Sequence, residues 1–126
     1  MPQITLKVPD GETEYVDKFF DEHQAFMRET HNGPAEPNAI MYIITKTPDL
    51  KDSNDPSAGT TGNTLYAVTE TYAGLEGCQA HMAAGQGYGK KEGEPYGALF
   101  ATFLEVVGKY ALATVMMAPV VKAMHD

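Results

Sequence analysis

The spacing of apolar positions changes period several times along the chain, and each change marks the edge of an element. Residues 3–8, Gln-Ile-Thr-Leu-Lys-Val, alternate as a half-buried strand does, and Pro9-Asp10-Gly11 is turn chemistry. Val16, Phe19, Phe20, His23, Phe26, Met27 and Thr30 then recur at three- and four-residue spacing, with Asp17, Lys18, Asp21, Glu22 and Arg28 mostly on the other side. That is an amphipathic helix. Thr13 or Asp10 is expected to cap its start. His31-Asn32-Gly33 is expected to close it, because Asn and Gly accept the left-handed conformation and a histidine suits the negative end of the helix dipole.

A second strand is expected over Asn38–Lys46, where Ile40, Met41, Tyr42, Ile43 and Ile44 are nearly continuous, so both of its faces should be covered. Thr47 to Gly62 is polar, contains Pro48, Pro56 and Gly59, and reads as a long loop. Asp49, Asp52 and Asp55 within it lack the spacing of a calcium loop. Thr64–Tyr72 reads as a third strand with Leu65, Ala67, Thr69 and Thr71 on one face and Tyr66, Val68, Glu70 and Tyr72 on the other. A helix from Leu75 to Ala84 should present Leu75, Cys78 and Met82 on one side, with His81 at the margin, before Gly85–Lys90 breaks it. Tyr96, Leu99, Phe100, Phe103, Val107 and Tyr110 form another helical face, ended by Val106-Val107-Gly108. Ala111–Met117 reads as a last strand, with Pro119 confining Val120-Val121 to an edge or bulge. The order β-α-β-β-α-(α)-β is the split βαβ, ferredoxin-like plan. It implies one α+β domain over residues 1–126, a four-stranded antiparallel sheet with helices on one face.

Composition narrows the function classes. Seventeen acidic residues against nine basic ones give a net charge of −8, a surface that repels a phosphate backbone, so neither nucleic acid nor an anionic membrane is an expected partner. A single cysteine, Cys78, rules out an internal disulfide and reads as an inert core thiol. No apolar run approaches the ~20 residues of a membrane span, and the first residues lack a signal peptide's apolar stretch, so a cytoplasmic protein is expected. Gly85, Gly87, Gly89 and Lys90 follow a helix rather than a strand and make a connector, not a phosphate loop. Strands apolar on both faces need cover. A second copy packed sheet to sheet would supply it, giving a homodimer whose facing sheets enclose a space for a small molecule.

Within that space, Ile40, Tyr42, Ile44, Tyr66, Val68 and Phe103 are the expected wall, and Tyr72 can offer its hydroxyl to a ligand. Glu70 shares a strand face with Tyr66, Val68 and Tyr72, so its carboxyl is either at a solvent edge or in an apolar setting that would raise its pKa and suit it to act as a base. His23, on the apolar face of the first helix, is a candidate base or anchoring donor, with a bond to a backbone carbonyl as its structural alternative. His81 is either functional or packed against the loop beneath. His31 reads as a helix-end residue and His125 as a tail. No metal is expected.

Glu70-Thr-Tyr72-Ala-Gly-Leu-Glu-Gly-Cys-Gln-Ala-His81 resembles the strand-to-helix signature of the dimeric α/β-barrel superfamily, the antibiotic-biosynthesis-monooxygenase-like proteins, in which a Glu-x-Tyr strand end precedes a helix carrying a histidine. The first helix is similar in length and amphipathicity. The resemblance implies a homodimer and, if an enzyme, a cofactor-free monooxygenase or isomerase. Together with the reading of the residues above, it gives a small, largely apolar ligand and Glu70, His81 and His23 as the candidate catalytic groups, with Glu70 or a histidine removing an acidic proton. Haem-binding and inactive members also occur in the family. A non-catalytic binding or sensing module, or a purely structural dimer, is the alternative.

Overall fold

The computed structural model describes residues 2–116 and Ala118. Its strands are β1 (Gln3–Val8), β2 (Ala39–Leu50), β3 (Thr60–Tyr72) and β4 (Ala111–Val115). The helices are α1 (Thr13–Thr30), α2 (Leu75–Gly87) and α3 (Ala98–Tyr110). All strand pairs are antiparallel, in the order β2-β3-β1-β4. This is an α+β arrangement consistent with a ferredoxin-like fold. β4 stops at Val115 and Met116 is already a bend, so the last strand is shorter than the expected Ala111–Met117. Met117 itself, the edge or bulge at Pro119–Val121, and His125 lie outside the described residues.

The register decides which way each strand faces. Ile4, Val68 and Ile44 stand in one row, and Leu6 and Tyr66 in the next. Ile4, Leu6, Val8, Tyr66 and Val68 on this face form one buried cluster with Val16, Phe19 and Phe20 of α1 and Val106 and Tyr110 of α3. Leu6, Val8, Val16 and Val106 are at most 1% exposed, and each such side chain contributes about 1.5–3 kcal/mol of apolar burial. Tyr66, Val68, Glu70 and Tyr72 of β3 therefore point under the helices, while Leu65, Ala67, Thr69 and Thr71 point to the other, open side. On β2, Ile40 and Ile43 are 68% and 47% exposed, so within one chain this strand is not covered on both faces as its apolar run suggests.

Thr47–Gly62 is not the long loop that its polarity suggests. Thr47–Leu50 extends β2, Thr60–Gly62 begins β3, and the two run as a hairpin from Met41↔Thr71 to Leu50↔Thr60 with register shifts at both ends. The connection is Lys51–Gly59, which holds a short 3-10 turn at Pro56–Ala58 started by Asp55, whose carboxylate accepts from the Ser57 backbone N–H. Most side chains along this stretch are exposed, so its polarity reports solvent rather than irregular backbone. Pro48 fits because β2 is an edge strand, where a missing N–H is tolerated.

Helix ends also depart from expectation. Neither Thr13 nor Asp10 caps α1. A turn closed from Glu12 N to Pro9 O makes Glu12 the cap residue, without a side-chain bond to the helix. The Glu12 carboxylate instead accepts from the Tyr110 hydroxyl at 2.9 Å. At the other end His31 N donates to Met27 O with an ordinary negative φ, and neither Asn32 nor Gly33 turns left-handed, because Asn32 pairs at once with Asn38. Helix α2 continues past Ala84 to Gly87, and α3 runs through Gly108 so that the Tyr110 ring reaches the core. The inward side of α2 is Gly77, Cys78 and His81, and Leu75 is 58% exposed. Close approach explains this rotation: a Cβ on Gly77 would lie 2.9 Å from the Tyr72 Cβ, so the glycine is the point where α2 rests on β3.

Candidate functional site

Between the helices and the inner face of the sheet lies a small, partly open cavity. Most of its wall is apolar, from Ile4, Leu6 and Val68 of the sheet, Phe19 and Phe26 of α1 and Phe103 of α3. One end is polar, where His23, Glu70 and His81 reach the wall together. The sequence candidates Glu70, His81, His23, Val68 and Phe103 thus meet at one cavity. Ile40, Tyr42, Ile44, Tyr66 and Tyr72 do not line it: Ile40 sits at a register shift on the exposed edge, and Tyr66 is buried with its hydroxyl on Asp17 at 2.7 Å. The cavity belongs to a single chain rather than to a space between two facing sheets.

Tyr42 and Tyr72 support the polar end from behind. The Tyr42 hydroxyl is 2.7 Å from His23 Nδ1, and the Tyr72 hydroxyl donates to Glu70 Oε1 at 2.7 Å. Glu70 Oε1 is also 3.3 Å from His81 Nε2. The opposite nitrogen, His81 Nδ1, is 2.7 Å from His31 Nε2, and His31 Nδ1 is 2.6 Å from the Thr30 hydroxyl. His31 is only 6% exposed, so the residue that reads as a helix end is part of the buried network. Helical register held the signal: His31 lies four residues beyond Met27 on the buried stripe of α1.

Burial governs the charge state here. It pushes the Glu70 carboxyl up to about 7, against the opposing effect of the Tyr72 hydroxyl. It drives His81 down to about 3, with His31 and His23 adding to the effect, and His23 down to about 4, helped by His31. His31 also falls to about 4 through burial, partly offset by Glu36. Near neutral pH the three imidazoles are therefore uncharged beside a carboxyl at the midpoint of its titration. The donor atoms of His23, Glu70 and His81 lie within 4.8 Å of one another, a set that can ligate a cation.

The class defined by these features is an α+β protein with a ferredoxin-like sheet and a buried carboxyl–imidazole group at the end of an apolar cavity. Compared with family models, curated proteins and solved structures, the chain matches none. No described helix is long and apolar enough to cross a membrane.

Proposed function

We propose that the protein is an enzyme of the dimeric α/β-barrel type that takes a small, largely apolar molecule into this cavity and moves a proton on it without a cofactor. One observation carries the reading: Glu70 Oε1 and His81 Nε2 stand 3.3 Å apart at the polar end of an otherwise apolar cavity. A carboxyl that titrates near 7 is suited to general acid–base work at neutral pH. Glu70 and His81 would take a proton from a phenol or from a carbon beside a carbonyl. The anion then isomerises, with the proton returned to another carbon, or reacts with dioxygen as the oxidant. Two copies would join through the open sheet face, where Met41, Ile43, Leu65 and Ala67 stand. A second reading, a binding or sensing module, is favoured by the apolar wall alone.

Native mass spectrometry and proton NMR in D₂O test both readings, using a panel of small phenols and aryl ketones as probes. The enzyme reading expects a dimer that binds a probe and exchanges its acidic C–H for deuterium, with exchange lost in Glu70→Gln. Binding without exchange would establish the module instead. A monomer would remove the barrel. Exchange abolished by a chelator and restored by a divalent cation would replace proton chemistry with coordination by His23, Glu70 and His81.

A further inference from the structure

We infer that Thr30 and His31 are positioning residues that lock His81 in its Nδ1–H tautomer and so hold a bare Nε2 toward Glu70 and the cavity. The inference rests on the acid–base reading above and names residues outside the cavity wall that serve it. The direction of every proton in the chain follows from one backbone group. The Thr30 hydroxyl donates to the Phe26 carbonyl at 2.7 Å, and a carbonyl can only accept. With its one proton committed, the Thr30 oxygen must accept from His31 Nδ1–H at 2.6 Å. A neutral His31 then has a bare Nε2, which accepts from His81 Nδ1–H at 2.7 Å. His81, also neutral, is left with its lone pair on Nε2, 3.3 Å from Glu70 Oε1. Reversing the chain would set the Thr30 and Phe26 oxygens against each other at 2.7 Å with no proton between them.

The depressed imidazole pKa values keep the histidines neutral and so agree with this assignment. The titratable groups around His81 are His23 and His31 from α1 and its end, and Glu70 and Tyr72 from β3. When a substrate proton arrives at Nε2, the Nδ1–H already has its acceptor, so nothing need rotate. An orienting partner of this kind is the third member of a catalytic triad in acyl transfer, supplied here by a histidine and a threonine at the end of a helix.

Long-range ¹H–¹⁵N correlation NMR on histidine-labelled protein at pH 6, where Glu70 holds a proton to donate to Nε2 and the imidazoles are neutral, reads the tautomer directly. Wild type should show His81 protonated on Nδ1 and bare on Nε2. Thr30→Val and His31→Phe should move that proton to Nε2 or populate both forms, whereas Thr30→Ser, which keeps the hydroxyl, should restore the wild-type pattern. Deuterium exchange into a bound probe should fall in step, by about a hundredfold, the scale of a general base, with probe affinity retained. Thr30→Val is the milder variant and keeps the test readable if His31→Phe folds poorly. A wild-type His81 protonated on Nε2 would overturn the inference, as would an Nδ1–H form unchanged in both variants. A tautomer that shifts as expected in a protein that exchanges no probe would uphold the lock and overturn the acid–base reading.

Discussion

Replacing Glu70 by glutamine should make the protein more stable at alkaline pH, and by an amount that the structure fixes. Burial raises the carboxyl from its ordinary 4.5 to about 7, a difference worth about 3 kcal/mol between the folded and unfolded chains once both ionise. Below pH 4.5 the group is protonated in both states and contributes nothing to the pH dependence. Between 4.5 and 7 the unfolded chain ionises first, so its free energy falls and stability declines. Above 7 the loss is complete. Glutamine removes this titration. Tyr72 and His81 both meet the one oxygen Oε1, so an amide oxygen there keeps the bond from the Tyr72 hydroxyl and gives up the contact with a bare His81 Nε2, a loss that does not vary with the ionisation of residue 70.

Urea unfolding of both proteins from pH 5 to pH 8.5 isolates the effect, because the neighbouring His23, His31 and His81, and Tyr42 and Tyr72, are present in each. The stability of Glu70→Gln relative to wild type should climb through pH 5 to 7 and level off about 3 kcal/mol higher above it. The histidines act in the opposite sense in both proteins. Their depressed folded values make stability rise as pH climbs from about 4 toward 6.5, and the comparison cancels that contribution. Two curves separated by a constant amount would refute the buried, proton-bearing carboxyl, and with it the reason for placing acid–base chemistry there.

Two further outcomes follow from contacts elsewhere. Gly97→Ala would bring a Cβ to 1.7 Å from the Tyr88 carbonyl oxygen, in the connection where Gly97 N also donates to Gln86 O. Backbone must move, so a loss above about 3 kcal/mol is expected, and a thermal midpoint unchanged by circular dichroism would contradict it. Ile43→Glu places a charge on the open sheet face at a residue 47% exposed in the single chain. The variant should keep its fold and sediment as a monomer where the wild type sediments as a dimer, and a wild type that is itself monomeric would remove the sheet-to-sheet interface.

Much of the architecture was legible because it is written in local period. The alternation over residues 3–8 is β1 without adjustment, and the three-four spacing from Val16 to Met27 is the buried face of α1. The hairpin of β2 and β3 was only half legible. Its outer part carries polar side chains because solvent surrounds it, so polarity there says nothing about whether the backbone is paired. The rotation of α2 was hidden for a different reason. Gly77, Ala80, Ala83, Ala84 and Gly85 give that helix little contrast between its sides, and its orientation comes from the fit of Gly77 against Tyr72, a contact made only once β3 is in place.

The site shows the same division between what one residue declares and what two must declare together. Glu70 among Tyr66, Val68 and Tyr72 marks itself as unusual, because a carboxyl on an apolar strand face must find a partner or hold its proton. His31 gives no such sign. Its hydrogen-bond partner is fifty positions away on a helix whose rotation the sequence does not reveal, and a histidine after the last turn of a helix has an adequate local explanation in the dipole. The local account fails on burial: at 6% exposure, with both ring nitrogens in contacts under 2.8 Å, His31 is held by partners rather than by the helix end. A charge–dipole role would favour a protonated imidazole, whereas burial and the geometry require a neutral one with a directed lone pair. The physical role of His31 is therefore to carry the orientation of the Phe26 carbonyl, through Thr30, to the nitrogen that faces Glu70.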